Sequence, residues 1–137
     1  MKIAVRMLAS AAAFIAVVPF ATAQDAEKGA TVFRQKCFQC HRVGAGAKNL
    51  IGPQLNGVVG RAATSVQGFN YSPIQRKKKA EGLVWTPENL DKYLESPRKF
   101  MPGTRMAFVG LPKPDDRQNI IAYLKTFNEK GEKVAGK

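Results

Sequence analysis

The sequence predicts an all-α, single-domain fold in which three or four helices are joined by long loops. Apolar residues recur at helical spacing near residues 26–36, 87–96 and 115–128. Between these stretches the chain is rich in glycine and proline, and no segment alternates polar and apolar residues as a strand would. Such long loops suit a compact domain only if the chain wraps a prosthetic group that replaces part of the core.

Residues 1–23 are predicted to be a secretory signal peptide. Lys2 and Arg6 give a positive start, an almost wholly apolar run follows, and Ala21-Thr22-Ala23 supplies a cleavage site. The alternative is an uncleaved membrane anchor. With cleavage, the mature domain is residues 24–137, about 114 residues, and its expected location is the bacterial periplasm.

The first helix of the mature chain is predicted over residues 26–36. Asp25 is placed to cap it, and Glu27 suits the positive end of the helix dipole. Gly29 stands four residues before the apolar Phe33. A glycine inside a helix costs about 1 kcal/mol relative to alanine, so we expect another helix to cross closely at Gly29.

The first helix leads into the motif C-x-x-C-H, formed by Cys37, Cys40 and His41. This is the pattern of covalent haem c attachment, in which each thiol forms a thioether with one haem vinyl group. The following histidine then lies under the iron and can coordinate it. The chain has only two cysteines and one histidine, and all three lie in this motif.

Two other chemistries use a C-x-x-C pair. A zinc site needs further cysteine or histidine ligands, and this sequence has none left. A thiol–disulfide oxidoreductase would place the pair after a strand in a βαβ unit, and no such pattern surrounds it. The motif therefore favours one haem c, bound through Cys37 and Cys40.

Residues 43–68 are predicted to form a loop around the prosthetic group. A carbonyl from its Gly52-Pro53 segment is placed to accept the Nδ1–H of His41 and fix the ring. A basic run, Arg76-Lys77-Lys78-Lys79, follows on a short helix that ends near Gly82. The run is either a docking patch or a solvated face.

A further helix begins with Thr86 as its N-cap and Pro87 at its first position, and Pro97 ends it. A second loop, residues 98–112, contains Met101 and Met106.

The last helix is predicted to start at Asp115 or Asp116, as its cap, and to run to about Asn128. The polar residues 129–137 are expected to be frayed.

The sixth position of the iron decides between two functions. An open position allows gas binding or peroxide chemistry, so a haem peroxidase or gas-binding cytochrome is the alternative function. A filled position leaves electron transfer. The single histidine is already used, so methionine is the expected ligand, and Met101 and Met106 are the two that remain after signal cleavage.

The charge of the chain indicates acidic partners. The formal net charge is +12, of which residues 1–23 supply two, leaving +10 on the mature chain. An exported protein without a nucleic-acid-binding motif is not expected to bind DNA or RNA. An acidic face on a redox partner fits the charge best.

Together these motifs resemble the class I cytochrome c family, of the mitochondrial type and its bacterial relatives such as the c2 and c550 cytochromes. The matching segments are Gly29 and Phe33, 37–41, 52–57, Gly60-Arg61, Tyr71, Trp85, 93–97, 102–108 and 121–124. The stretch between Tyr71 and Trp85 is a few residues longer than in the mitochondrial proteins, so no haem contact is assigned to its basic run.

The resemblance implies a haem wrapped by the chain and an iron held by His41 and Met106, which selects Met106 over Met101. It also implies that Arg61, Tyr71 and Trp85 surround a haem propionate. The full set of expected haem contacts is Cys37, Cys40, His41, Pro53, Arg61, Tyr71, Trp85, Tyr93, Thr104 and Met106.

The function that the resemblance implies is that of a monomeric electron carrier, not an enzyme. The expected partners are acidic faces of membrane redox complexes, such as a bc1-type donor and an oxidase or reaction-centre acceptor, or soluble reductases, with peripheral membrane association. A structural docking subunit with an incidental haem is a further alternative. The basic rim expected around the exposed haem edge is Lys36, Lys48, Arg98, Lys99, Arg105 and Lys113.

Overall fold

The computed structural model describes residues 24–135, and within this range the chain forms five α-helices. They are α1 (Ala26–Lys36), α2 (Pro73–Ala80), α3 (Pro87–Glu95), α4 (Pro97–Phe100) and α5 (Pro114–Lys125). No named strand occurs in this range, where two isolated bridges join Ala62 to Val84 and Phe127 to Lys133. The all-α prediction is confirmed, with one helix more than expected. The predicted signal peptide lies outside the described residues.

Helices α1 and α5 cross at Gly29. Asp25 caps α1 by accepting the backbone N–H groups of Glu27 and Lys28, both at 3.0 Å. A Cβ at position 29 would overlap the carbonyl oxygen of Asn119 and lie 2.8 Å from the Cβ of Tyr123. The expected close crossing is therefore present, and it offsets the weak helix propensity of glycine with helix–helix contact.

Helix α5 begins differently from the prediction. Lys113 is the N-cap residue and offers no side-chain hydrogen bond, and Pro114 takes the first helical position. Asp115 and Asp116 lie in the first turn, where they suit the helix dipole without capping it. The helix ends at Lys125, earlier than predicted.

Helix α3 begins at the predicted cap, with the Oγ1 of Thr86 accepting the N–H of Asn89 at 3.2 Å. Pro97 ends α3 as predicted, but it also begins the four-residue helix α4 inside the segment predicted as loop. Proline disfavours the continuation of a helix that precedes it, yet its fixed φ suits the first position of a new one.

A partly buried ion pair between Arg117 and Asp91 ties α5 to α3. The Nε of Arg117 donates to Asp91 at 2.8 Å, and the Arg117 side chain is 7% exposed. Its Nη1 also donates to the carbonyls of Leu111 and Pro112 at 2.8 and 3.0 Å. These bonds hold the end of the second loop against the helices.

The C-terminal turn, residues 128–134, is ordered, so the expectation of fraying is wrong here. Asn128 N–H donates to the carbonyl of Glu132 at 3.0 Å, and Val134 N–H donates to that of Thr126 at 2.8 Å. Gly131 is buried. The polar composition predicted fraying, whereas these local bonds and packing on a distant loop hold the turn.

None of the helices in residues 24–135 is both long enough and apolar enough to span a membrane.

Candidate functional site

The helices and loops enclose a cavity of about 560 Å³, a volume within the range of cofactor sites. Nine of the ten predicted haem contacts line it: Cys37, Cys40, His41, Pro53, Arg61, Tyr71, Trp85, Tyr93 and Met106. The tenth, Thr104, lies behind the wall. Residues far apart in sequence therefore converge on one space.

The C-x-x-C-H segment forms a turn directly after α1. The N–H groups of Cys40 and His41 both donate to the carbonyl of Cys37, at 3.0 and 2.9 Å. Burial raises the pKa of the Cys37 thiol to about 12, and the neighbouring Cys40 adds to the shift. Reactive cysteines have lowered pKa values, so Cys37 is unsuited to act as a thiolate nucleophile and the thiol–disulfide alternative loses support.

His41 presents one ring nitrogen to the cavity because the other is bonded. Its Nδ1 lies 2.7 Å from the carbonyl oxygen of Pro53. A carbonyl only accepts, so Nδ1 carries the proton and Nε2 keeps a free lone pair. Burial lowers the pKa of His41, and the hydrogen bond to Pro53 opposes this shift without cancelling it. The ring is therefore neutral, which is the form that binds a metal.

The backbone of the adjoining loop holds His41 in place. Gly52 N–H donates to the carbonyl of Cys40, and Leu55 N–H donates to that of Arg42, both at 2.9 Å. A Cβ at Gly52 would lie 2.7 Å from both Nδ1 and Nε2 of His41. The loop therefore packs its backbone flat against the imidazole, which only glycine permits.

Met101 and Met106, the two methionines within residues 24–135, have different surroundings. Met106 is half-buried and lines the cavity that His41 lines. Met101 is 0% exposed, belongs to the hydrophobic core and does not line the cavity. A thioether is a suitable iron ligand, and Met106 is the methionine that the fold makes available.

A polar chain supports Met106 from behind. The hydroxyls of Tyr93 and Thr104 lie 3.1 Å apart, and the Thr104 hydroxyl accepts the N–H of Met106 at 3.3 Å. Burial raises the pKa of Tyr93, and hydrogen bonds from Thr104 and Gln75 partly oppose the shift. Thr104 therefore contributes to the site through Tyr93 and Met106.

Sequence reasoning missed Gln75, which lies on α2 and lines the cavity. The basic run that follows it dominates the sequence of this helix. The only signal in the sequence was that Ile74 and Gln75 are uncharged, directly before four consecutive cations.

Arg61, Tyr71 and Trp85 form a corner of the cavity with unsatisfied polar groups. Arg61 donates through Nη1 to the carbonyl of Asn56 and through Nη2 to that of Gln54 at 3.4 Å. Burial raises the pKa of Tyr71, partly offset by the N–H of Val66 and the charge of Arg61.

Two buried side-chain atoms in residues 24–135 have no hydrogen-bond partner, the Nε of Arg61 and the Oγ1 of Thr64. Buried polar groups normally have partners. Both residues line the cavity, so a carboxylate that reaches this corner would satisfy a buried cation and a hydroxyl.

These features fit haem c. Two thiols and a neutral imidazole stand on one wall, a thioether is available from another segment, and an unpaired cation marks a place for an acidic substituent. Among the described residues, no group of three or more His, Cys, Asp and Glu side chains is arranged to hold a metal ion.

The mouth of the cavity carries exposed Lys36, Ile51 and Arg105. Of the predicted basic rim, only Lys36 and Arg105 line the cavity. Lys48 lines a neighbouring cleft, and Arg98, Lys99 and Lys113 are exposed elsewhere.

Comparisons with known proteins agree with this geometry. Residues 26–128 match the family model for cytochrome c. Cytochrome c-550 of Ancylobacter novellus is 53% identical over 106 residues, covering 77% of this chain and 98% of the relative. Cytochrome c2 of Agrobacterium tumefaciens (strain II Chrys) is 48% identical over 100 residues, covering 73% and 89%. The solved structure of cytochrome c2 from Rhodospirillum centenum is similar, with a TM-score of 0.70 and 44% identity, covering 76% of this chain and 98% of that one.

Proposed function

This chain belongs to the cytochrome c family, and we propose that it shuttles single electrons in the periplasm, with His41 and Met106 holding the haem iron. Family membership makes it an electron carrier and not an enzyme, with one covalent haem c attached through Cys37 and Cys40. When bound, the haem supplies the redox chemistry, because its iron takes up and releases one electron.

One observation carries the proposal. His41, with its Nε2 lone pair free, and Met106 line the same cavity, while Met101 is buried outside it. With both residues as ligands, no iron position is left for a substrate or a gas. Histidine and methionine ligation also raises the reduction potential of a c-type haem.

The surrounding residues keep the site dry and rigid. Trp85 and Tyr93 are 8% and 6% exposed, and their ring centroids lie 4.9 Å apart. Arg61 and Tyr71 are placed to offset a buried propionate charge. Little of this wall has to move when the charge changes, which suits fast electron transfer.

The mouth of the cavity is the proposed docking face. Lys36 and Arg105 flank it, and they would steer an acidic partner toward the haem edge by long-range attraction. The partners that fit are acidic faces of membrane redox complexes, such as a bc1-type donor and an oxidase or reaction-centre acceptor, or soluble reductases. Transfer rates should fall as ionic strength rises.

Export is a further part of the proposal. Residues 1–23 act as a cleaved signal peptide, and the functional domain is residues 24–137. The mass of the holoprotein purified from the periplasmic fraction tests this, because retention of the first 23 residues would contradict cleavage.

The ligand assignment is tested with the absorption spectrum of the oxidised protein. Iron ligated by methionine sulfur gives a weak far-red band, which we expect in the wild type and not in Met106→Ala. Carbon monoxide added to the reduced wild type should bind slowly and incompletely. Rapid stoichiometric binding would favour the gas-binding alternative over the carrier.

A further inference from the structure

The C-terminal turn packs on the loop that anchors Arg61. Gly131 is buried with φ of +79°, and a Cβ there would overlap the carbonyl oxygen of Gly44 and lie 2.7 Å from the Nδ2 of Asn56. Asn56 is itself clamped to Gly44, accepting its N–H at 2.8 Å and donating to its carbonyl at 3.1 Å. The turn and the loop are therefore in backbone contact.

The same contact places Glu129 on Gly57. Gly57 has φ of +62°, and a Cβ there would lie 2.7 Å from the Cγ of Glu129 and 2.9 Å from its backbone nitrogen. The preceding residue, Asn56, is the one whose carbonyl accepts the Nη1 of Arg61. Glu129 therefore packs on the Asn56-Gly57 segment, which is hydrogen-bonded to Arg61.

Arg61 lies between two spaces. It lines the haem cavity on one side and, on the other, a cleft of about 590 Å³ that Glu129 and Lys48 also line. Its hydrogen-bond acceptors are carbonyls, and none of the ion pairs in residues 24–135 includes it. Burial lowers the pKa of Arg61, while electrostatic interactions with Tyr71 and Glu129 oppose that shift.

We propose that Glu129 is a positioning residue that acts on the haem through Arg61 and thereby lowers the midpoint potential. This rests on the proposed function, which places a propionate at the cavity side of Arg61. A cation beside the haem stabilises the state with the added electron. Glu129, on the cleft side, attracts the Arg61 guanidinium toward the cleft and so weakens its positive field at the haem.

The test is the midpoint potential of the holoprotein with Glu129→Gln, which removes the charge and keeps the shape. Glu132→Gln is the matched control, because Glu132 is an exposed glutamate of the same turn that bonds Asn128 at 2.8 Å and does not line the cleft. We expect a more positive potential for Glu129→Gln and a clearly smaller shift for Glu132→Gln. Equal shifts, or no shift at Glu129, would overturn the proposal.

A second comparison asks whether Arg61 is the intermediary. In an Arg61→Gln background, the shift caused by Glu129→Gln should shrink. An undiminished shift would mean that Glu129 acts on the haem directly and would overturn the role of Arg61.

If Arg61→Gln yields no holoprotein, the ¹⁵N–¹H resonance of the buried Arg61 Nε replaces it as the readout. That resonance should move in Glu129→Gln and stay in place in Glu132→Gln. The same position in all three proteins would overturn the proposal.

The far-red band of each variant separates this inference from the ligand assignment. A wild type without that band would contradict Met106 as a ligand, while the potentials of the two glutamate variants would still decide the role of Glu129.

Discussion

The two cavity walls that carry His41 and Met106 are held by different means. On the histidine side, backbone groups hold the wall: Gly52 donates to Cys40, Leu55 donates to Arg42, and the carbonyl of Pro53 fixes the ring of His41. The covalent attachment at Cys37 and Cys40 adjoins the same wall.

On the methionine side, side-chain hydroxyls hold the loop. Thr104 N–H donates to the carbonyl of Met101 at 3.0 Å, and beyond it the support comes from the Thr104 and Tyr93 hydroxyls. Arg105 and Ala107, on either side of Met106, are exposed.

The difference indicates which of the two proposed iron ligands is more easily lost. A wall tied by several backbone bonds and a covalent tether resists opening, whereas a loop held by one backbone bond and two hydroxyls opens locally at lower free energy. With the iron held as proposed, we therefore expect Met106 to leave it before His41 does. We also expect substitutions on the histidine side to impair haem attachment and those on the methionine side to weaken ligation alone.

The largest effect is expected from Gly52→Ala on the histidine side. The new Cβ would lie 2.7 Å from Nδ1 and Nε2 of His41, so either the ring or the loop has to move. We expect little or no correctly ligated holoprotein, measured as the yield of covalent haem and the visible spectrum.

The control for Gly52→Ala is Gly46→Ala. Gly46 has φ of +73°, and a Cβ there would meet no atom within 4 Å, so only backbone strain of about 1–2 kcal/mol is expected. Normal haem spectra for both variants would mean that the loop at Gly52 can move enough to accommodate a Cβ without displacing His41, contrary to the prediction.

Met106→Ala comes next and breaks the methionine side alone. The far-red band should vanish and carbon monoxide should bind rapidly to the reduced protein, while the haem remains attached. Met101→Ala should keep the band and lower the free energy of unfolding by about 2–5 kcal/mol, since it leaves a cavity in the core. The reverse pattern would exchange the roles of the two methionines.

Thr104→Val should loosen the methionine side without removing the ligand. It deprives the Tyr93 hydroxyl and the Met106 N–H of a partner, which costs about 1–3 kcal/mol. The far-red band should therefore disappear at a lower guanidinium concentration than in the wild type.

Thr126→Val is the control for Thr104→Val, because it removes a hydroxyl that bonds the carbonyl of Tyr123 at 2.7 Å, away from the cavity. It should lower global stability without making the band disappear ahead of unfolding. If the band disappears together with global unfolding in both variants, the Thr104 and Tyr93 hydroxyls do not stabilise the loop independently of the rest of the fold.

The smallest effect is expected at the mouth. Arg105→Gln removes one positive charge next to Met106 in the second loop. It should slow electron transfer with an acidic partner about two- to five-fold at low salt, and this difference should shrink as the salt concentration rises. Lys113→Gln, an exposed lysine that does not line the cavity, should slow it less. Equal effects would indicate that the whole basic surface attracts the partner and that the cavity mouth has no special role.

Much of this site could be predicted because its signals are local. Asp25 caps α1 and Thr86 caps α3 through bonds that span two or three residues. The spacing of Cys37, Cys40 and His41 places the three side chains within one turn. Gly29 signalled a close crossing because glycine within a helix needs a compensating contact.

Other features depended on long-range packing, which leaves weaker marks in the sequence. The polar tail predicted fraying, yet Gly131 is buried against Gly44, a residue far away along the chain. Gln75 lines the cavity from a different helix than Tyr93, whereas the basic run beside it in sequence predicted either a docking patch or a solvated face.

The cofactor and its tether follow from the sequence alone, because covalent haem attachment needs cysteines and a histidine at one short spacing. Spacing favoured Met106 over Met101 only weakly, and the resemblance selected Met106. The tertiary structure separates them physically, burying Met101 in the core and leaving Met106 on the cavity wall. Which side chain faces a cavity depends on how distant segments pack, and the same packing brings Glu129 to the loop that holds Arg61.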